Sequence, residues 1–150
     1  MKKLLFLLII PCFCFASEPN TFKSSCGGIQ YKIESFCKAN YLKDDQDKLD
    51  IPVCKKQVIS LEGIDNDLSK ATGFVDRISQ NGEKVKMMNF VFYGASCKND
   101  RLILSGSGGC NSCGEMFKTF NLSGKEIKED SGSLDLESMQ EIIPDNNSAE

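Results

Sequence analysis

Residues 74–93 read FVDRISQNGEKVKMMNFVFY, and this stretch decides the fold. The run 74–79 leads into Asn81-Gly82, and a second strand-like run follows over 85–93. Asn-Gly between two such runs is the strongest short hairpin signal, because both residues accept the positive φ that a type I′ turn requires. Within the second run, residues 87–93 (MMNFVFY) are apolar on both faces, which predicts a central strand.

Working outward, Lys98-Asn99-Asp100 predicts a turn into a strand over 101–104. After the Gly-rich 106–113, the runs 116–122 and 125–128 predict a second hairpin closed by Ser123-Gly124. Toward the N-terminus, residues 29–34 (IQYKIE) alternate apolar and polar side chains, as a strand with one wet face does. Residues 53–61 predict another strand, ended by Glu62-Gly63. Residues 17–25 read as loose, 38–50 as a charged surface loop or short helix, and 65–69 as a polar connection. A weak helical stretch covers 134–142 and stops at Pro144. Strands joined in succession by short turns make an antiparallel meander. The expected fold is therefore mainly β: an antiparallel meander forming a small disulfide-stapled sandwich or open barrel, with a short acidic C-terminal tail.

The N-terminus reads as an address. Met1-Lys2-Lys3 precedes 12 apolar residues over 4–15 (LLFLLIIPCFCF), then Cys14-Phe15-Ala16 places small residues at −3 and −1. Basic end, apolar middle and small-residue cleavage site predict a secretory signal peptide over 1–16. The apolar run is too short for a bilayer span, which needs about 20 residues. Pro11 and Phe13 stand where an acylated Cys12 or Cys14 would want a small residue. The expected location after cleavage is periplasmic or extracellular, with a β domain over 17–128 and an acidic tail over 129–150, itself containing at most one short helix.

Without Lys2 and Lys3 the exported chain carries 16 basic and 21 acidic residues, a net charge of −5. Seven of the acidic residues fall in 129–150, where no basic residue occurs, so residues 17–128 are nearly neutral. With no basic stripe, nucleic acid is not an expected partner.

The chain has 150 residues, eight Cys, no His and no Trp. Absence of His removes Ser-His-Asp and Cys-His catalysis and His-ligated zinc. Cys12 and Cys14 leave with the signal. The remaining Cys26, Cys37, Cys54, Cys97, Cys110 and Cys113 read as a disulfide framework, the usual meaning of an even count in an exported chain. Six cysteines allow about 15 pairings. One reading joins Cys37 to Cys54 around the core-poor 38–53, and another joins Cys110 to Cys113 directly.

Cys110-Asn111-Ser112-Cys113 also admits a redox reading, if residues 115–120 form a helix whose N-terminus lowers a thiol pKa. Against it, only one or two turns fit before Ser123-Gly124, and Pro144 lies too near the end to serve as the cis-Pro of a thioredoxin-like fold. A zinc site would have to recruit distant cysteines such as Cys54 and Cys97, since a structural site needs about four ligands. Asp65, Asp67, Ser69 and Asp76 follow EF-hand spacing at four positions, but Lys70 stands where the loop requires Gly, so this reads as an acidic surface loop. Asp44, Asp45, Asp47 and Asp50 are dense enough for carboxylate hydrolysis, yet lie among Lys43 and Lys48 in a solvated stretch without Trp. The glycines of 106–109 lack the Lys-Ser/Thr ending of a phosphate loop and read as a turn.

The signal peptide, the segment 26–37 (CGGIQYKIESFC) and the later Gly-Gly-Cys-x-x-Cys together resemble small bacterial envelope proteins, and the resemblance carries no catalytic residues. The functional expectation is an exported interaction protein without catalytic activity, an envelope accessory or an inhibitor or immunity-type protein. It would have no cofactor and no bound metal, with a protein or envelope component as partner and no membrane span. The alternative is a periplasmic thiol–disulfide protein using Cys110 and Cys113. A third class, a His-free hydrolase, would need two carboxylates converging in a cleft.

Overall fold

A computed structural model describes residues 18–43, 48–79, 81–108, 113–128 and 138–143, with backbone alone for 39–43 and 48–51. The first sheet is a meander of four antiparallel strands in chain order: β1 (Asn20–Cys26), β2 (Ile29–Lys43), β3 (Lys48–Leu61) and β4 (Ile64–Asp67). Residues 20–26 are thus strand and not loose. Every second residue of β1, Phe22 and Ser24 among them, turns inward opposite Ile33 and Tyr31 of β2. The Phe22 and Tyr31 rings stand 6.1 Å apart. The polar stretch expected as a loop over 38–50 instead continues β2 and β3, which pair out to Lys43↔Lys48 across three register shifts. Cross-strand pairing overrides a charged local composition there.

The polar connection over 65–69 divides into β4 and a short helix, α1 (Leu68–Thr72). Asp67 starts the helix: its side chain accepts from the Ser69 backbone N–H at 3.1 Å, satisfying a donor that the first turn leaves free. The chain then enters a two-stranded ribbon of β5 (Phe74–Ile78) and β6 (Lys84–Met88). The hairpin is present, but its turn differs from the type I′ expectation. Of Asn81 and Gly82 only Gly82 has positive φ, 83°, and its N–H donates to Ser79 O at 2.8 Å. Both central residues of a two-residue turn take positive φ instead at Asn99 (51°) and Asp100 (57°).

The run 87–93 is divided and is not one strand. At Asn89 the ribbon ends, its N–H donating to Gly73 O at 3.0 Å, and β7 (Phe90–Lys98) passes into another sheet. That sheet contains β8 (Arg101–Gly108), β9 (Glu115–Asn121), β10 (Glu126–Ile127) and β11 (Gln140–Glu141), in the order β10-β9-β8-β7-β11. The β9–β10 hairpin matches the expectation over 116–128. Residues 106–108, expected as a turn, extend β8. A Cβ on Gly106 would meet Val91 O at 2.8 Å, so the glycine permits close backbone approach. Residues 140–141 are strand; the rest of the helical stretch expected over 134–142 lies mostly outside the described residues.

The sheets do not close into a barrel. The four- and five-stranded sheets and the ribbon share one core, built from Ile33, Ile59 and Leu61 of the first sheet, Phe92, Leu102, Leu104 and Phe120 of the second, and Met87 and Met88 of the ribbon. Where β7 shifts register between Phe92 and Gly94, backbone groups lose their ladder partners. Gln57 of β3 supplies them. Its amide donates to Phe92 O at 2.7 Å and accepts from the Phe92 N–H at 2.8 Å. It is fully buried and also donates to Ser35 Oγ at 3.0 Å.

Candidate functional site

The cysteines divide into two fastened pairs and a third locus. Cys26 of β1 is bonded to Cys97 of β7, tying the two larger sheets together with Cα atoms 5.4 Å apart. Cys37 and Cys54 face each other across β2 and β3, Cα atoms 3.9 Å apart, and are bonded. The polar stretch 38–53 is thus closed at its base. Cys113, just before β9, also takes part in a disulfide. Cys110 lies outside the described residues.

Two neighbours define the surroundings of Cys113. A Cβ on Gly108 would meet the Cys113 Cβ at 2.6 Å and its Sγ at 3.0 Å, so β8 can pass here only as glycine. Arg77 reaches across from the ribbon. Its alternation with exposed Asp76 and Ile78 turns it inward, and its Nη2 stands 3.9 Å from Cys113 Sγ. Its Nε is buried without a hydrogen-bond partner. The helix expected over 115–120 for the redox reading is absent: these residues are strand β9.

The ribbon's other face is open. Phe74 and Ile78 remain 48% and 47% exposed, on either side of Asp76. Lys86 lies opposite Asp76 and Lys84 opposite Ile78. Lys86 Nζ stands 5.8 Å from the centre of the Phe74 ring, and Lys84 pairs with Asp76 at 3.1 Å. In β7 of the second sheet, Tyr93 is 40% exposed; partial burial, and then Glu115, push its hydroxyl pKa up. Sequence reading missed this face. The only signal was the pair of apolar residues at 74 and 78, four apart and therefore on one side of a strand.

The calcium-like spacing does not assemble. Asp67 caps α1, Asp65 accepts from Ser60 Oγ at 2.5 Å, and Asp76 is paired with Lys84. Among the described residues no group of three Cys, Asp or Glu is placed to hold a metal ion. Asp44, Asp45 and Asp47 lie outside the described residues, and for Asp50 the backbone alone is described. No described helix is long and apolar enough to cross a membrane.

Compared with known proteins, the chain matches no family model, no curated protein and no solved structure.

Proposed function

We propose that this chain is an exported interaction protein, an envelope accessory or inhibitor-type module, that binds another protein through the outer face of the β5–β6 ribbon. The observation that carries the reading is the pair Phe74 and Ile78, half exposed beside Lys84 and Lys86 on a ribbon face that enters the core only at its Met88 end. Aromatic and aliphatic anchors beside cationic groups suit a partner with an apolar pocket and an acidic rim. The disulfides support the setting, because such bonds persist in oxidising compartments. The test is capture from envelope extract by the wild-type chain beside the double variant Phe74→Ser/Ile78→Ser. A protein retained by the first and lost by the second, with both melting alike, supports the reading. Equal retention by both, or none by either, sinks it.

A second reading is favoured by the Arg77 guanidinium beside Cys113. Cys26, Cys97, Cys37 and Cys54 are paired among themselves, and this reading takes Cys110 as the partner of Cys113, the CxxC pair of the sequence. A CxxC disulfide next to an arginine has one of the features of a thiol–disulfide site. Insulin reduction in the presence of dithiothreitol, with Cys110→Ser as control, tests it. Turnover no faster than the control ends this reading.

A further inference from the structure

An open sheet ends in edge strands, and each edge presents a row of backbone N–H and C=O groups without ladder partners. Among the described residues most of these edges are blunted. β10 and β11 contain two residues each. β4 contains four, passes directly into α1, and its Asn66 Nδ2 donates to Gly124 O at 3.0 Å. β1 is tied to the second sheet by Cys26–Cys97, and its Ser24 Oγ donates to Gln140 Oε1 of β11 at 3.3 Å. In the ribbon, β6 lies against β3 and carries Lys84 and Lys86. β5 has five residues, no proline and no register shift against β6, and the one charge on its exposed face is Asp76.

The two ends of the ribbon fix which backbone groups of β5 face outward. Ser79 N–H donates to Glu83 O at 2.9 Å, and Asn89 N–H donates to Gly73 O at 3.0 Å. Bonded pairs alternate along an antiparallel ladder, so between these ends Val75 and Arg77 bond to their register partners Met87 and Val85. The N–H and C=O groups of Phe74, Asp76 and Ile78 therefore point away from β6, repeating about every 7 Å. Their side chains share the outer face, where Asp76, its side chain 52% exposed, stands between the two half-exposed apolar residues. Such a row is matched by another extended backbone, which supplies complementary acceptors and donors at the same spacing. Charge decides whose backbone it is. A second copy pairing antiparallel over the whole of β5 would set Asp76 against its own counterpart, a like-charge contact that opposes pairing. A strand with a basic residue at that place meets the opposite sign.

We propose that the partner protein adds an extended segment to the free edge of β5, with a basic residue opposite Asp76 and apolar residues opposite Phe74 and Ile78. This rests on the reading that the ribbon binds a protein, and it specifies the mode. Backbone pairing holds the segment, and the Phe74, Asp76 and Ile78 side chains select its sequence. Lys84 and Lys86, one strand further in, remain for the acidic rim of the same partner.

The probe is a synthetic peptide of residues 73–79 carrying Asp76→Lys, with the unsubstituted peptide beside it. Paired antiparallel with β5 of the full chain, the first sets a lysine opposite Asp76 and the second an aspartate. Titrated to millimolar concentration, the lysine peptide should slow amide exchange of Phe74, Asp76 and Ile78. It should bind roughly fivefold or more tightly than the unsubstituted peptide. Asp76→Pro in the chain removes an outward N–H at a place where an edge strand tolerates proline, and it should lose the peptide; the wild-type arms decide without it. Unchanged exchange at these three amides, or equal binding of both peptides, overturns the proposal. So does slow exchange of the three amides in the free chain, which would mean that the edge is already taken. Capture from envelope extract separates this proposal from the reading beneath it. A protein lost by Phe74→Ser/Ile78→Ser and kept by Asp76→Pro overturns the strand pairing and leaves the ribbon as the binding face.

Discussion

The two parts of residues 74–93, divided at Asn89, both carry apolar side chains and meet different fates. From Phe90 onward the chain enters a five-stranded sheet, where Phe92 is fully buried and its backbone is held by a glutamine from another sheet. Before Asn89 the chain forms a ribbon of two strands whose Phe74 and Ile78 stay half exposed. The difference lies in what each strand has beside it. β7 is flanked by β8 and β11 and bonded to β1, whereas β5 pairs with β6 alone. A strand with neighbours on every side turns apolar residues into core. A two-stranded ribbon has no flanking strands to cover it, and its Phe74 and Ile78 stay half exposed.

The largest expected break in this comparison comes from the β7 side. Replacing Cys26 and Cys97 together by Ser should destabilise the fold by about 4 kcal/mol, the unfolded-chain entropy that a bond spanning some 70 residues removes. Urea unfolding checks it, and a loss near zero would mean the sheets are held without the bond. Next comes Gln57→Leu, which leaves both backbone groups of Phe92 buried without partners. The expected cost is about 2–4 kcal/mol, from about 1–3 kcal/mol for each such group with partial relaxation.

A smaller effect is expected at the entrance to the ribbon. Asp67→Ala removes the cap of α1 and should cost about 1 kcal/mol. Burial pushes the Asp67 carboxyl up, but the Ser69 hydroxyl and amide, with Lys56 and Lys70, outweigh it and hold its pKa below the ordinary carboxylate range. A depressed folded pKa places the stabilisation above the unfolded value and removes it as pH falls through the folded one. Wild type and Asp67→Ala should therefore differ most at neutral pH and converge in acid, which melting scans across pH can follow. The smallest effect belongs to the ribbon's outer face: Phe74→Ser and Ile78→Ser should each change stability by less than about 0.5 kcal/mol. A loss of several kcal/mol from either would show that the ribbon face is structural and would erase the contrast with β7.

Much of the strand order was legible in residue pattern. The alternation of 29–34, the apolar run around 90–93 and the hairpin over 116–128 all correspond to strands. What misled was local composition read in isolation. Residues 20–26 look loose because β1 is half polar, but its partner β2 supplies the ladder. The Gly-rich 106–108 looks like a turn because nothing in the chain announces that Val91 passes so close. Asn89 ends a strand that its neighbours would continue, since Gly73, sixteen residues earlier, takes its N–H. Of the candidate sites, the cysteines were legible as an even set. Arg77 was not, because an arginine in an alternating strand reads as solvated until the strand's inner face is known to meet Cys113.

Sequence by itself determined a mainly β chain of short antiparallel hairpins, eight cysteines without an imidazole, and an acidic end. These follow from side-chain period, turn residues and composition, which act over a few residues. Only tertiary structure decided which cysteines meet in the two described bonds, that 87–93 splits between two sheets, and that Gln57 completes the backbone of β7. Each of these depends on groups brought together from distant positions, as with Cys26 and Cys97, 71 residues apart. Their pairing is set by how sheets stack and not by any local preference of the chain.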